Sequence, residues 1–217
     1  MSVKHIYFVR HGQTDDNRSW KHQSFSTPLN ARGLEQARAT TSLLKEVPVD
    51  LFISSDATRT LETARVLRSV IATPLTQDKI FREVHRPVCV LGARFWSVRS
   101  ILYAMRLYMF SSANVWPYKD GENMRAVQAR AKRALALLVH INKDHIVVVS
   151  HRLFISAILA EILGKDVTRA FSHFWTIRSL HGIANGSITE LLYDQHSKTP
   201  WTILRGNDIS PKSRAVA

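Results

Sequence analysis

Short apolar runs alternate along the chain with longer amphipathic segments, and this alternation predicts strands followed by helices. Residues 6–9, 51–53 and 146–149 are continuous apolar runs of strand length, typical of strands buried on both faces of a parallel sheet. Further strands are predicted near residues 188–192 and 201–204. Parallel strands need crossover connections, so the pattern predicts an α/β fold with a doubly wound, mostly parallel sheet and helices on both faces.

The segments between these runs carry apolar side chains at helical spacing. Ser54, Ser55 and Asp56 offer capping oxygens before the second of these helices. The inward-facing positions are predicted to be Leu34, Ala37, Thr41 and Leu44 in the first helix, Leu61, Ala64, Leu67 and Ile71 in the second, Met124, Val127, Ala131, Leu135 and Leu138 in a long third, and residues 154–163 in a buried fourth.

Residues 84–120 interrupt this alternation, and we interpret them as a small inserted cap. The cap contains an amphipathic stretch in which Arg94, Arg99 and Arg106 accompany a row of apolar side chains, namely Val98, Ile101, Leu102, Met105 and Met109. We expect this row to pack against the domain rather than bind a membrane. The whole chain, residues 1–217, is interpreted as one domain that ends in a polar, mobile tail from about residue 207.

Composition narrows the functional classes. The chain has 217 residues, 45% of them hydrophobic, yet no apolar run approaches the roughly 18 residues that span a bilayer, so we expect neither a membrane span nor a signal peptide. The single cysteine, Cys89, cannot form an intrachain disulfide, which favours the reducing cytoplasm. The net charge of +13 suits anionic small substrates or nucleic acid, but scattered basic residues without a recognisable motif disfavour nucleic acid.

Polar side chains suited to phosphoryl transfer follow the predicted strands. Arg10 and His11, the turn leading to Arg59, and His151 all come at strand ends, which meet at one edge of a parallel sheet. Arginines bind a phosphate dianion, and a neutral imidazole at His11 is a suitable nucleophile. Glu83 is the candidate acid that protonates the leaving group. Glu122 is an alternative acid, although its position favours a carboxylate at a helix N-terminus.

Taken in order, these motifs resemble the histidine phosphatase superfamily, with its phosphoglycerate mutase-like fold, over nearly the whole chain. The resemblance implies a phosphohistidine at His11, a phosphate pocket of Arg10, Arg59 and His151, and proton donation by Glu83. The matching residues are Arg10-His11-Gly12-Gln13-Thr14 with Asn17, Leu29-Asn30 with Gly33 and Gln36-Ala37, Ser54-Ser55-Asp56 with Arg59 and Thr63-Ala64, Glu83, Gly121-Glu122, Val149-Ser150-His151, and Asn185-Gly186-Ser187-Ile188-Thr189-Glu190.

The resemblance further implies metal-independent hydrolysis of a small phosphorylated metabolite, without a cofactor. Asn17, as a hydrogen-bond donor, joins Gln13 and Thr14 as candidate substrate-binding residues. Arg152 stands where the family often has glycine, so it adds charge to the pocket or crowds it. A phosphoglycerate-type mutase and a noncatalytic protein that binds an anion or nucleic acid stay open as alternatives, as do the identity of the ester and a homodimer.

Overall fold

The computed structural model describes residues 3–110, 117–164 and 182–209, and it confirms the alternation of strands and helices. Two short 3₁₀ turns span Lys79–Phe81 and Val88–Val90. The strands are β1 (Val3–Arg10), β2 (Leu51–Ser54), β3 (Leu75–Gln77), β4 (His145–Ser150), β5 (Ile188–Asp194) and β6 (Trp201–Asp208), and the helices are α1 (Asp15–Arg18), α2 (Ala31–Leu44), α3 (Thr58–Arg68), α4 (Val98–Met109), α5 (Met124–His140) and α6 (Arg152–Ile162).

The six strands form one sheet in the order β3-β2-β4-β1-β5-β6. β1, β4, β2 and β3 pair in parallel, whereas β5 runs antiparallel to both β1 and β6. The link between β5 and β6, residues 195–200, is too short for a crossover connection, so these two strands form a hairpin at one edge. The predicted fold class, a mostly parallel α/β sheet, is confirmed.

Alternate residues of each central strand pack into hydrophobic cores on opposite faces of the sheet. In β1, Ile6 and Phe8 belong to a core that includes side chains of α5 and α6. Tyr7 and Val9 belong to a second core with side chains of α2 and α3. Both faces are therefore covered by helices, which explains why the strand sequences are apolar without alternation.

Some local features differ from the sequence prediction. The polar residues before α3 do not cap it: the N-cap is Ala57, which makes no side-chain capping bond. The Ser55 hydroxyl is instead engaged by the His151 ring and by Thr60. Sequence patterning also missed the four-residue α1 and the three-residue β3, which are too short to show a period.

The boundary between the sheet and the predicted C-terminal tail lies two residues later than the sequence prediction. β6 continues through Asp208, so the first two residues of the predicted tail belong to the sheet. Residues 210–217 of that tail, and residues 111–116 of the predicted cap, lie outside the described residues. In the part of the chain that is described, none of the helices combines the length and the apolar character needed to cross a bilayer.

The cap helix α4 is oriented opposite to the expectation from its sequence. Its buried side chains are Ser100 and Tyr103, which contact His22 from the segment after α1. The apolar row that was expected to pack inward is exposed to solvent instead, and it comprises Val98, Ile101, Leu102, Met105 and Met109. The packing predicted for this row is therefore wrong. The inward face is held by polar contacts, including the hydrogen bond between Ser100 and His22, which hydrophobic patterning does not detect.

Candidate active site

The candidate site lies where β1, β2 and β4 end side by side. Arg10 pairs with Ser150 across β1 and β4, and Ser54 pairs with Val149 across β2 and β4. The residues that follow these positions, among them His11 and His151, therefore emerge at the same carboxyl edge of the sheet, where ligands bind in open α/β folds.

His11 is almost completely buried and is held in one tautomer. Its Nδ1 lies 2.7 Å from the carbonyl oxygen of Gly12. A carbonyl oxygen only accepts hydrogen bonds, so this contact assigns the ring hydrogen to Nδ1 and leaves the lone pair on Nε2. Burial, reinforced by the charges of Arg59 and Arg10, holds the pKa of His11 well below its usual value. The ring is thus neutral, as a nucleophile must be.

His151 faces His11 from the end of β4, with ring centroids 5.2 Å apart and an angle of 60° between the planes. Its Nδ1 lies 3.1 Å from Nη2 of Arg59, which donates, and its Nε2 lies 2.7 Å from the hydroxyl of Ser55. These partners assign the hydrogen to Nε2. Burial and then the charge of Arg59 lower the pKa of His151 well below its usual value, so both rings are neutral in the ligand-free protein.

Two buried guanidinium groups flank these rings without a carboxylate partner among the described residues. Nη1 of Arg10 donates to the carbonyl of Ile183 at 2.7 Å, and Nη1 of Arg59 donates to the carbonyl of Ser24 at 2.8 Å. The Nε atom of each is buried and makes no hydrogen bond with the described residues. Because a buried, uncompensated cation is costly, this pair favours binding of an anion.

The electrostatics of the two arginines show how strongly positive the site is. Burial lowers the pKa of Arg10 to about 9, and the charges of Arg152 and Arg59 add to that effect, while Glu83 opposes it. Burial likewise lowers the pKa of Arg59 to about 10. Both groups stay protonated at neutral pH, so a phosphate dianion placed between them meets two fixed charges.

The loop that carries His11 is fixed by close packing. A Cβ atom on Gly12 would lie 2.3 Å from the carbonyl oxygen of Gly33, at the start of α2, so only glycine fits there. The backbone amide of Gly12 donates to the hydroxyl of Thr63 at 3.1 Å. The side-chain amide of Asn185 donates to the backbone carbonyl of His11 at 3.0 Å. His11 and its loop are therefore held by three different segments of the chain.

Glu83 lies at the N-terminus of α6, where its carboxylate accepts hydrogen bonds from the backbone amides of Leu153 and Phe154 at 3.3 and 3.2 Å. It lines a cavity of about 250 Å³ together with Arg59 and His151. The other walls of the cavity combine polar and apolar groups, namely Gln23, Ser24, Phe25, Ala57, Arg82, Val84, His85, Arg86, Val88 and Leu91.

The alternative acid, Glu122, is engaged elsewhere. Its carboxylate forms an ion pair with Arg130 at 2.6 Å and accepts a hydrogen bond from the backbone amide of His85 at 2.9 Å. It is also absent from the described lining of the cavity. Of the two candidate carboxylates, only Glu83 therefore shares a cavity with His151.

The remaining predicted residues lie around the site in different ways. The backbone amide of Asn17 donates to the Thr14 hydroxyl at 3.1 Å, and its side-chain Oδ1 accepts from the Asn185 side chain at 3.3 Å. Gln13 and Thr14 make scaffold contacts: the Gln13 side chain accepts from Asn30 at 3.2 Å, and the Thr14 hydroxyl accepts from Gln23 at 2.6 Å. Arg152 is the first residue of α6, and its positive charge helps to lower the pKa of Arg10.

Three residues that the structure brings to the site were not among the site residues predicted from the sequence. Ser55 contacts His151, Thr63 contacts the Gly12 amide, and Asn185 contacts both His11 and Asn17. All three fall within the motifs that carry the family resemblance, which was the available signal. Their roles depend on contacts between distant segments, which spacing along the chain does not reveal.

Comparisons with known proteins identify the family of the chain. Residues 6–208 match the model of the histidine phosphatase superfamily, branch 1. A Salmonella arizonae protein named "Probable phosphoglycerate mutase GpmB" is 26% identical over 209 residues, covering 94% of this chain and 93% of the relative. The structure of a mycobacterial glucosyl-3-phosphoglycerate phosphatase is 25% identical with a TM-score of 0.75, covering 94% of this chain and 99% of the other. A structure called mycobacterial hydrolase 1 is 26% identical with a TM-score of 0.77, covering 95% and 99%.

Proposed function

Because the chain belongs to the histidine phosphatase superfamily, we propose that it hydrolyses a small phosphate monoester through a phosphohistidine at His11. The observation that carries this proposal is the neutral His11 ring, held by the Gly12 carbonyl and near two buried arginines whose charges lower its pKa and whose Nε donors lack partners among the described residues. A phosphoryl group bound by those arginines would lie beside the Nε2 lone pair. The similarity to a structure named as a phosphatase supports hydrolysis.

In the first step, Nε2 of His11 attacks phosphorus as the bond from phosphorus to the leaving oxygen breaks. The hydrogen bond from Nδ1 to the Gly12 carbonyl stabilises the positive charge that develops on the ring. The protonated carboxyl of Glu83 gives its proton to the leaving oxygen, so an alcohol departs rather than an alkoxide. The products of this step are the free alcohol, the Glu83 carboxylate and phosphohistidine.

In the second step, water attacks the phosphohistidine from the side that the alcohol has left. The Glu83 carboxylate takes a proton from this water, the bond from Nε2 to phosphorus breaks, and inorganic phosphate is released. His11 is again neutral and Glu83 is again protonated. One carboxyl group thus serves as acid and then as base, which requires that it stay in the cavity throughout.

Arg10, Arg59 and His151 stabilise the charge on the equatorial oxygens of the transferring group. In the ligand-free protein, the Arg59 guanidinium donates to His151. A bound dianion offers both groups a better partner, and it favours protonation of His151 at Nδ1, which becomes a further donor. Anion binding is therefore expected to raise the pKa of His151 from its lowered value.

The proposal is tested by incubating the protein with a panel of small phosphate esters in the presence of a chelator. Release of free inorganic phosphate is the expected outcome, with water as the acceptor of the phosphoryl group. A mutase, the alternative suggested by the names of several relatives, would return an isomerised ester without free phosphate. Binding without turnover would instead favour a noncatalytic anion-binding protein, and both outcomes would contradict hydrolysis.

Glu83→Gln should lower kcat/KM most for esters whose leaving group must be protonated as it departs. For alkyl phosphates, kcat/KM should fall by about 10²- to 10⁴-fold, because the poor alkoxide leaving group needs a proton. For p-nitrophenyl phosphate, whose phenolate leaves unaided, kcat/KM should change by less than about tenfold. The ratio of the two kcat/KM values measures the role of the acid.

Glu122→Gln is the matched control, since it removes the carboxylate that is paired with Arg130. Any change in kcat/KM that it causes should be the same for alkyl phosphates and for p-nitrophenyl phosphate. If Glu83→Gln also lowered kcat/KM equally for both classes, the proton-donor role would be wrong. If Glu122→Gln were the variant with a selective loss, the acid would have to be reassigned to that residue.

A further inference from the structure

The outer face of α4 is an apolar surface that the described part of the chain leaves exposed. Five apolar side chains, each 46–72% exposed, follow the spacing of one helical face: Val98, Ile101, Leu102, Met105 and Met109. At 3.6 residues per turn these positions fall within roughly 100° of the helix circumference, the width of a face that normally packs against another surface. The buried Ser100 and Tyr103 lie on the opposite side.

Exposed aromatic side chains continue the apolar character beyond the N-terminus of α4. Phe95 and Trp96 directly precede the helix cap, and Trp20 contacts Phe95 with ring centroids 6.4 Å apart. All three rings are 43–57% exposed. The guanidinium of Arg94 lies over the Trp96 ring, 5.7 Å from its centre. Exposed tryptophans beside basic residues are typical of the boundary between water and lipid.

The charged residues of the segment that contains α4 are all basic. Residues 84–119 contain no aspartate or glutamate, while Arg94, Arg99 and Arg106 are all exposed. On a helical projection, Arg99 and Arg106 flank the same edge of the apolar row. An apolar helix face bordered by arginines complements an anionic lipid surface, in which the side chains enter the acyl boundary and the cations contact phosphate headgroups.

We propose that this cap surface, made of the five apolar residues of α4 with Arg94, Arg99 and Arg106, docks the protein in the plane of an anionic bilayer. α4 has 12 residues, far short of the roughly 20 that span a membrane, so it lies in the interface rather than across it. This surface is separate from the residues proposed for catalysis.

The charges argue against a second copy of this chain as the occupant. A symmetric contact would place the arginines of two copies against each other, with no carboxylate in the segment to separate them. An acidic protein partner would need a groove to receive this convex helix. A lipid surface needs no preformed groove. Its acyl chains can receive the apolar side chains of α4, and its anionic headgroups can pair with the arginines.

Docking would also determine where the cavity faces. The turn Val88–Val90 packs against α4, and Val88 lines the cavity that contains Glu83. A membrane-bound α4 would therefore hold the cavity close to the headgroup layer. The site would then act on phosphorylated molecules at or near the membrane surface.

Co-sedimentation of the full chain with lipid vesicles tests the proposal. Vesicles of phosphatidylglycerol and phosphatidylcholine in equal parts should bind the protein, and vesicles of phosphatidylcholine alone should bind it at least about tenfold more weakly. The triple variant V98S/I101S/M105S should lower binding to the anionic vesicles by at least about tenfold. R94Q/R99Q should lower it by a similar factor of about ten.

The control V70S/L204S removes two equally exposed apolar side chains far along the chain from α4 and should bind like the parent. Hydrolysis of a water-soluble ester by V98S/I101S/M105S should also match the parent, which separates loss of docking from loss of folding or of the proposed activity. The proposal is overturned by any of three results: no binding to anionic vesicles, equal binding to both kinds of vesicle, or binding that the triple variant leaves intact. A dimer in sedimentation equilibrium that the triple variant dissociates would assign the surface to a second copy and overturn it as well.

Discussion

Replacing His11 with alanine is expected to lower kcat for phosphate release by at least about 10⁴-fold, because no other described group offers phosphorus an oriented lone pair. His151 faces the same space, but its Nδ1 lone pair accepts from Arg59 and its Nε2 carries the hydrogen directed at Ser55. It is therefore oriented to assist the transfer, not to replace the nucleophile. Steady-state phosphate release from the best ester of the panel measures the loss.

Two controls separate lost chemistry from lost structure. His11→Ala keeps Arg10 and Arg59, so it should still bind inorganic phosphate in a calorimetric titration. His145→Ala, on the neighbouring strand but paired with His5 at the opposite edge of the sheet, should retain parental activity. Substantial activity in His11→Ala that also binds phosphate would show that the phosphoryl group does not pass through this residue.

Arg59→Met is expected to lower kcat/KM by about 10³-fold, which is the scale of removing one cation that stabilises a transferring phosphoryl group. Arg59 reaches His151, anchors to the Ser24 carbonyl and lines the cavity. Affinity for vanadate should fall together with kcat/KM. The matched control is Arg65→Met, which makes the same substitution at an exposed position of α3. It should leave both quantities unchanged.

The same substitution should also shift the dependence of activity on pH. The charge of Arg59 is the largest cause, after burial, of the lowered pKa values of His11 and His151. Removing that charge favours the protonated rings, so both pKa values should rise. The loss of kcat/KM on the acid side of the profile should therefore occur at higher pH in Arg59→Met than in the parent. If kcat/KM were lost at the same pH as in the parent, or at a lower pH, the effect assigned to the Arg59 charge would be wrong.

The fold was predictable where one physical requirement dominates a segment. Strands such as β4 must be apolar on both faces because helices cover both sides of the sheet, and this gives a continuous apolar run. The orientation of α4 was not predictable, because its inward face is set by Ser100 and Tyr103 against His22. Hydrophobic patterning assumes that the apolar face packs, and here that assumption fails.

The candidate site was predictable as far as strand ends and motifs reach. Arg10, His11 and His151 follow apolar runs directly, so parallel pairing brings them together. The tautomer of His11 depends on the carbonyl of Gly12, and the orientation of His151 depends on Ser55. The first contact depends on the backbone conformation at Gly12 and the second on a residue distant in sequence, and spacing along the chain reveals neither.

In the proposed mechanism His11 carries the phosphoryl group as a covalent phosphohistidine, and the Glu83→Gln variant allows the most direct measurement of it. With p-nitrophenyl phosphate this variant should complete the first step but hydrolyse its intermediate slowly, because the second step lacks its base. Rapid mixing should therefore give a burst of p-nitrophenol equal to one per active site. Mass spectrometry after an alkaline quench should place an acid-labile phosphoryl group on His11. Two results would contradict a phosphohistidine at His11. One is a phosphoryl group on another residue, and the other is release of p-nitrophenol and phosphate at equal rates with no phosphorylated protein.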